Sequence, residues 1–503
     1  MPKQVIVLMT DSQRWDMVNC YRSTGLQTPN LDRLAAAGVR FERAYTCSPV
    51  CGPARAGLFT GTWPHTNGSW SNDLPLGEFT RTLGMRVTHA GMHAAYIGKW
   101  HLDASDYFGL GTCPAGWDPK YWYDMRNYLD ELSPEDRVRS RKMETIMEDP
   151  PAEMLYGHRC SDRAVDFIRH HKDEDFLLVV SYDEPHGPYL CPKKYRDMYA
   201  DYEFPRSPNV DDPLDDKPEH IRIWAGHRLK HDTRAVKIVR PEYFGCNTFI
   251  DEEIGRVLDA LDSTCPGAMT IYTSDHGHME QSHRLYIKGP AMYDEITRIP
   301  FIVRWSGHAP AGSVCKHPVS HIDVVPTILD YFGIERSRVL EGRSMLDTVR
   351  DPRRQPHETV FCEFHRTEVD QDGFGAFQPI RCACDGRYKL VVNLMTSDEL
   401  YDLQADPHEM ENRVDDPLLA TVRNHLHDRM LDWMNRTRDP FRGWYWERRP
   451  WRTDARPVKD WHYTNVTRQR ESEPGEPRVL DYDTGTEAVN LVRAIPAVVP
   501  ESK

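Results

Sequence analysis

The run Cys51-Gly52-Pro53-Ala54-Arg55 brings a thiol, a proline and an arginine into five residues. Proline has a preset φ and no N–H, so Pro53 suits the first turn of a helix. Arg55 then falls one turn beyond Cys51, on the same face. A sulfur at a helix N-terminus meets unpaired N–H groups and a positive dipole end, which favour an anion beside it. A buried structural cysteine is the competing reading of this run alone.

Other reactive side chains follow apolar runs. Residues 5–10, Val-Ile-Val-Leu-Met-Thr, read as a strand covered on both faces and end in Asp11-Ser12. Ligands of open α/β sheets gather at the carboxyl ends of strands, which is where Asp11 stands. A turn cap is the alternative use of an aspartate there. Residues 94–97 read as a short strand running into Gly98-Lys99-Trp100-His101. On extended chain Lys99 and His101 face one side, giving an anion site with a titratable base. Residues 176–181 lead into Asp183-Glu184-Pro185-His186-Gly187, a loop histidine, and residues 268–274 lead into Asp275-His276-Gly277. Two carboxylates and an imidazole would suit a hard divalent cation.

These motifs together resemble the sulfatase family of the alkaline-phosphatase-like superfamily. The resemblance rests on Cys51-x-Pro53-x-Arg55 followed by Thr60-Gly61, on Thr28-Pro29-Asn30-Leu31-Asp32, and on Gly98-Lys99-Trp100-His101-Leu102. It continues through Ser274-Asp275-His276-Gly277 to His283 and Lys288, and covers about residues 4–434. It implies an α/β fold with a large mixed, mostly parallel sheet flanked by helices. A smaller C-terminal domain with an antiparallel sheet and a helix would follow. The expected divisions are 1–345, 346–435 and an irregular Trp- and Arg-rich tail, 436–503, wrapping the core or meeting a second subunit.

The resemblance also implies that a formylglycine-generating enzyme oxidises Cys51 to formylglycine. The implied metal ligands are Asp11, Cys51, Asp275 and His276. Calcium is the family's usual ion, with magnesium and manganese as alternatives. Cys51, Arg55, Lys99, His101, His186 and Lys288 are the implied catalytic set, with His283 contacting the substrate or supporting a residue that does. Trp70, Trp100, His365 and Arg366 are candidates for a sugar-facing rim, since specificity resides in loops. Two departures stand out. Many sulfatases have adjacent aspartates where this chain has Asp11-Ser12, and asparagine where it has His276. Asp275-His276 is similar to the phosphonate monoester hydrolases of the same superfamily. The expected activity is hydrolysis of a sulfuric ester of a small molecule or sugar. A phosphonate monoester or phosphodiester hydrolase is the alternative, and an inactive binding protein the third reading.

The elements that position these groups are expected as helices over 83–90, 162–171, 242–261, 322–332 and 418–434. Antiparallel strands are expected at 360–364, 380–384 and 388–393. Residues 103–158 read as irregular and 200–235 as a surface excursion. The 503 residues are 39% hydrophobic and 28% charged, as in a soluble globular protein. A net charge of −14 argues against a nucleic-acid binder. No apolar run approaches the roughly 20 residues of a membrane span. The N-terminal residues lack a signal-peptide pattern, so a cytoplasmic enzyme without a membrane partner is expected. Twelve irregularly spaced cysteines fit free thiols.

Overall fold

The computed structural model describes residues 2–103, 107–228, 237–368, 377–453 and 455. Its large sheet is built from β1 (Gln4–Thr10), β2 (Val39–Tyr45), β3 (His93–Gly98), β4 (Phe176–Ser181), β5 (Met269–Ser274), β6 (Arg298–Ile299), β7 (Phe301–Arg304) and β8 (Ser313–Ser320). The order is β3-β4-β1-β5-β7-β2-β6, with β8 also beside β2. β3, β4, β1 and β5 are mutually parallel, and β7 runs antiparallel to β5 and β2.

The continuous apolar run of β1 serves two cores. Val5, Val7 and Met9 enter one and Ile6 and Leu8 the other, as period-2 alternation requires. On the first face lie α2 (Cys51–Thr60) and the helices Leu83–His89 and Val324–Phe332. On the second lie α1 (Pro29–Ala36) and the helices Tyr156–His170 and Pro241–Thr264. Covered on both sides, the strands need no polar face.

Register aligns the functional strand ends. Met9 pairs with Ser181 and Thr10 with Ser274. The residues that follow, Asp11, Tyr182-Asp183 and Asp275, therefore leave the sheet side by side. The Asp275 N–H donates to Thr10 O at 3.1 Å and the Asp11 N–H to Glu184 O at 3.4 Å.

A second sheet, β12-β11-β10-β9, is antiparallel throughout: β9 (Val360–Phe364), β10 (Ile380–Cys384), β11 (Tyr388–Asn393) and β12 (Glu399–Asp402). Leu426, Met430 and Trp433 of the helix Ala420–Arg436 pack on Ala383, Leu390 and Leu400 of this sheet.

Several expectations need correction. Leu346 and Val349 pack into the large core, so that unit extends past residue 345. Within residues 436–453, Trp446 and Trp451 pack into the core under the small sheet. Trp461 and the remainder lie outside the described residues. The stretch 103–158 holds two short helices, Met125–Glu131 and Pro134–Arg139, the first closed by a capping box between Asp124 and Asn127. Of the expected surface excursion 200–235, the described residues 200–228 include buried Phe204, Leu214, Ile221 and Trp224 and are part of the packed body. All twelve cysteines are free thiols. No described helix is long and apolar enough to cross a membrane.

Candidate active site

α2 begins at Cys51, and all ten of its residues are buried. Val50 before it is extended, so the chain turns sharply into the helix at the thiol. The Gly52 N–H donates to Asn72 Oδ1 at 2.9 Å, satisfying one of the free donors of the first turn. A Cβ at residue 52 would stand 3.2 Å from that same oxygen, which leaves little room for a side chain.

Asp11, Cys51, Asp275 and His276 bring their ligand atoms within 4.8 Å of one another. His276 Nε2 is 3.1 Å from Cys51 Sγ, and its Nδ1 faces Gly277 O at 2.8 Å. That carbonyl accepts from Nδ1–H and leaves Nε2 as the lone-pair nitrogen turned to the site. Arg55, fully buried, joins the two carboxylates: Nη2 is 3.1 Å from Asp11 Oδ2 and Nε 3.0 Å from Asp275 Oδ2. Its Nη1 donates at 2.7 Å to both Lys99 O and Ser181 Oγ.

Lys99 reaches the site by backbone bending. The strand expectation that Lys99 and His101 share a face fails here, because β3 stops at Gly98 with φ 116°. A Cβ at Gly98 would lie 1.9 Å from Ser181 O, so only glycine fits. His101 has φ 58°. The loop turns Lys99 Nζ to within 2.7 Å of Asp11 Oδ2 and 3.2 Å of Asp183 Oδ1. His101 is buried with no partner at Nδ1. Lys288 Nζ contacts Cys51 Sγ directly. His186 stacks on Tyr107 at 5.2 Å, and its Nδ1 lies 2.9 Å from Gly187 O.

The charges of the site follow from burial and from one another. Burial, helped by the Asp11 charge, pushes the Asp275 carboxyl up to about 7. Burial also opposes ionisation of Asp11, but Lys99, His186, Lys288 and Arg55 together hold it well below the usual carboxylate range. Burial and Lys99 bring His186 down to about 4, and burial with Lys99 and Arg55 lowers His101 far from its ordinary value. Burial and the Asp11 charge raise the Cys51 thiol to about 12. An unmodified Cys51 is thus a poor nucleophile at neutral pH. Two carboxylates that cannot both ionise comfortably, beside a thiol and an imidazole lone pair, fit a divalent cation.

Ser12 donates its hydroxyl to Asp11 Oδ1 at 2.7 Å and its N–H to Asp275 Oδ1 at 3.1 Å. Gln13 is turned away, with Nε2 on Asn247 Oδ1 at 3.0 Å and Oε1 accepting from Tyr272. Four residues in the site escaped the sequence reading: Asp183, Ser181, Tyr107 and Asn72. Tyr107 donates to Asp183 Oδ1, and its ring lies 4.0 Å from Lys99 Nζ.

Two proposed substrate contacts lie elsewhere. Trp100 is 3% exposed and packs among Phe59, Tyr96, Trp117 and Trp122 in the large core. His283 has φ 52° and turns into a buried network, Nδ1 2.6 Å from Asp212 and Nε2 3.2 Å from Asn209, stacked on Tyr293. His365 is buried beneath Trp70 and accepts from Arg381 at 2.9 Å. Arg366 lies 5.7 Å from the Phe377 ring. Their loop meets the site side, where the Asn72 N–H donates to Thr367 O at 2.8 Å.

The sulfatase family profile matches residues 3–334, two thirds of the chain. The chain belongs to the sulfatase family. A second profile, the C-terminal region of N-sulphoglucosamine sulphohydrolase, matches residues 282–436. The chain is 46% identical over 490 residues to a protein named uncharacterized sulfatase YidJ of Escherichia coli K12, covering 95% of this chain and 96% of that one. Among solved structures it resembles BT4656, described in complex with its substrate D-glucosamine-2-N,6-O-disulfate. That match has TM-score 0.73, 20% identity, and coverage of 88% of this chain and 99% of the other. It also resembles the phosphonate monoester hydrolase SpPMH of Silicibacter pomeroyi, with TM-score 0.72, 22% identity, and coverage of 87% and 96%. These two likenesses speak to the fold, which this sulfatase shares with both.

Proposed function

We propose that this sulfatase hydrolyses the O-sulfate ester of a small molecule or sulfated sugar, with residue 51 as formylglycine and a divalent metal. The observation that carries the reading is the convergence of Asp11, Asp275, His276, Arg55, Lys99 and Lys288 on residue 51. Formylglycine there would supply a hydrated aldehyde, one hydroxyl to attack sulfur and the other to release its proton afterwards. A cation held by Asp11, residue 51, Asp275 and His276 would polarise the nucleophile and the ester oxygens. Two carboxylates and one imidazole are fewer negative ligands than calcium sites prefer, and admit manganese.

The remaining residues bind charge and move protons. Arg55 and Lys99 set cationic charge beside the nucleophile. His101, neutral and with Nδ1 unpartnered, is poised to take a proton from residue 51. His186 and Lys288 flank the leaving oxygen, where one donates a proton. The choice of a sulfated sugar draws on the substrate named for BT4656.

Peptide mass spectrometry of residues 44–55, paired with kcat/KM on a nitrophenyl sulfate, tests the mechanism. Activity should track the converted fraction. Full activity from a chain with a measured free thiol at Cys51 would refute it. A phosphonate monoester hydrolase is the second reading, favoured by His276 at 3.1 Å from Cys51 Sγ. A higher kcat/KM on a phenylphosphonate monoester than on the matching sulfate would make that the main activity.

A further inference from the structure

Away from residue 51, at the far end of α2, the large unit and the small antiparallel sheet border a half-open cavity of about 740 Å³. α2 is about 15 Å long at 1.5 Å per residue, and none of the metal-ligand or catalytic residues lines this space. Its volume lies within the range of small-molecule sites, roughly 300–1,000 Å³. Its wall is strongly cationic. Five arginines line it against two glutamates, in a chain whose net charge is −14.

Arg343 and Arg436 are exposed and Arg429 is half-buried, and among the described residues none of the three has a buried carboxylate partner. Arg436 carries neither hydrogen bond nor ion pair among the described residues. Arg343 Nη1 donates to the Pro356 carbonyl at 3.2 Å, with no carboxylate on its guanidinium. Arg429 has one ion pair, to Glu358 at 3.3 Å, with Glu358 75% exposed, and its buried Nε has no partner. The other lining carboxylate, Glu341, is turned to the backbone N–H of Trp63 at 2.7 Å and the Thr66 hydroxyl at 2.9 Å. Burial pushes it up to about 7, so near neutral pH it cancels only part of the charge. Partial burial, and then Arg343 and Arg429, disfavour the charge of Arg436, and Asp432 and Glu341 offset part of that. Three like charges held together around a cavity are relieved by an anion. The Trp63 and Trp433 rings, 4.9 Å apart, lie beneath this wall with 3% and 1% of their surface exposed.

We propose that this cavity is a second ligand site, for a small organic anion that presents sulfate, phosphate or carboxylate groups to Arg343, Arg429 and Arg436. The bidentate fork of arginine matches such oxyanions. This site does not depend on the reaction assigned to residue 51.

The test is calorimetric titration of the metal-replete Cys51→Ala protein with N-acetylglucosamine 6-sulfate, glucose 6-phosphate, inorganic sulfate and unsubstituted N-acetylglucosamine. The two charged sugars should each bind at a site that Arg343→Ala/Arg436→Ala weakens at least tenfold. Inorganic sulfate should bind there more weakly, and the uncharged sugar not at all. Arg436→Lys, which keeps the charge, should retain part of the affinity. In the active enzyme the double variant should keep its kcat/KM on a nitrophenyl sulfate, which separates this site from the catalytic one. If the double variant is poorly folded by circular dichroism, the exposed single change Arg436→Glu serves instead. Equal binding by parent and variant, or no binding outside the catalytic site, would overturn the proposal.

Discussion

Lys99 Nζ lies 2.7 Å from Asp11 Oδ2, although β3 and β1, the strands before them, are separated by β4. The contact forms because Gly98 folds the chain over the end of β4 and brings the lysine above its second neighbour. Asp183, from the end of β4, accepts from the same ammonium at 3.2 Å. Lys99 is therefore fixed before any substrate arrives, as preorganised electrostatic catalysis requires.

Replacing Lys99 by alanine should lower kcat by about 10²–10³, the usual loss when one fixed donor is removed from a developing charge. Metal content, read by elemental mass spectrometry, should persist because Lys99 is not a ligand. A Lys99→Ala enzyme with unchanged kcat would show that its charge only balances Asp11.

Asp275 carries the opposite expectation. Its carboxyl is raised to about 7 by burial and by Asp11, a conflict that a divalent cation resolves. Asp275→Ala should lose metal and activity together, while Asp275→Asn, which keeps one ligating oxygen, should retain some metal. Full metal occupancy in Asp275→Ala would remove this residue from the coordination set.

A pH effect is expected far from the site. His427 Nε2 faces Trp446 O at 2.6 Å, and its Nδ1 faces Arg452 Nη1 at 3.1 Å. Only the neutral ring with Nε2–H satisfies both, since a second proton would point at a guanidinium. Burial brings His427 down from 6.5 to about 4. The folded state thus stays unprotonated where the unfolded chain takes up a proton. Stability should be unaffected above about pH 6.5, fall as pH drops toward 4, and level off below. The slope due to this group is at most about 1.4 kcal/mol per pH unit. Urea midpoints at pH 7, 6 and 5 should fall less steeply in His427→Gln, and identical slopes would exclude the histidine.

The strand ends were legible because buried parallel strands read as unbroken apolar runs, and each run stops one residue before a polar group. Asp11 and Asp275 follow β1 and β5 directly. Asp183 carries a similar signal, two residues after β4, and could have been singled out by it. Tyr107 and Asn72 could not, since both lie in irregular segments whose path depends on tertiary contacts. The opposite error arose at His283. Its place between Asp275 and Lys288 suggested the site, but its positive φ turns the ring toward Asp212. Trp100 stands between Lys99 and His101, yet its side chain points into the core. Sequence proximity to a motif fixes backbone position and leaves side-chain direction to the local dihedrals.

The two histidines beside residue 51 should fail at different stages. His101 is buried with Nδ1 unpaired and is held neutral by burial, Lys99 and Arg55, so it can accept a proton at neutral pH. Its role falls after ester cleavage, when residue 51 must lose a proton to release sulfate. His186 has Nδ1 against Gly187 O, which leaves Nε2 as its reactive nitrogen, and it stacks on the Tyr107 that donates to Asp183. Its role falls earlier, at the departing alcohol. Loss of a positioned acid or base typically costs about 10²–10⁴-fold. His101→Ala should release alcohol in a burst of one turnover and then stall with sulfate retained on residue 51. His186→Ala should show no burst, and its loss should be smaller for nitrophenol than for a sugar leaving group, because nitrophenol departs without a proton. Lys288, in contact with residue 51, can share the acid role, so His186→Ala/Lys288→Ala should lose more on sugar sulfates than either single change. Rapid mixing with a nitrophenyl sulfate, followed by intact mass measurement of the stalled protein, reads both stages. A burst in His186→Ala with none in His101→Ala would reverse the two roles.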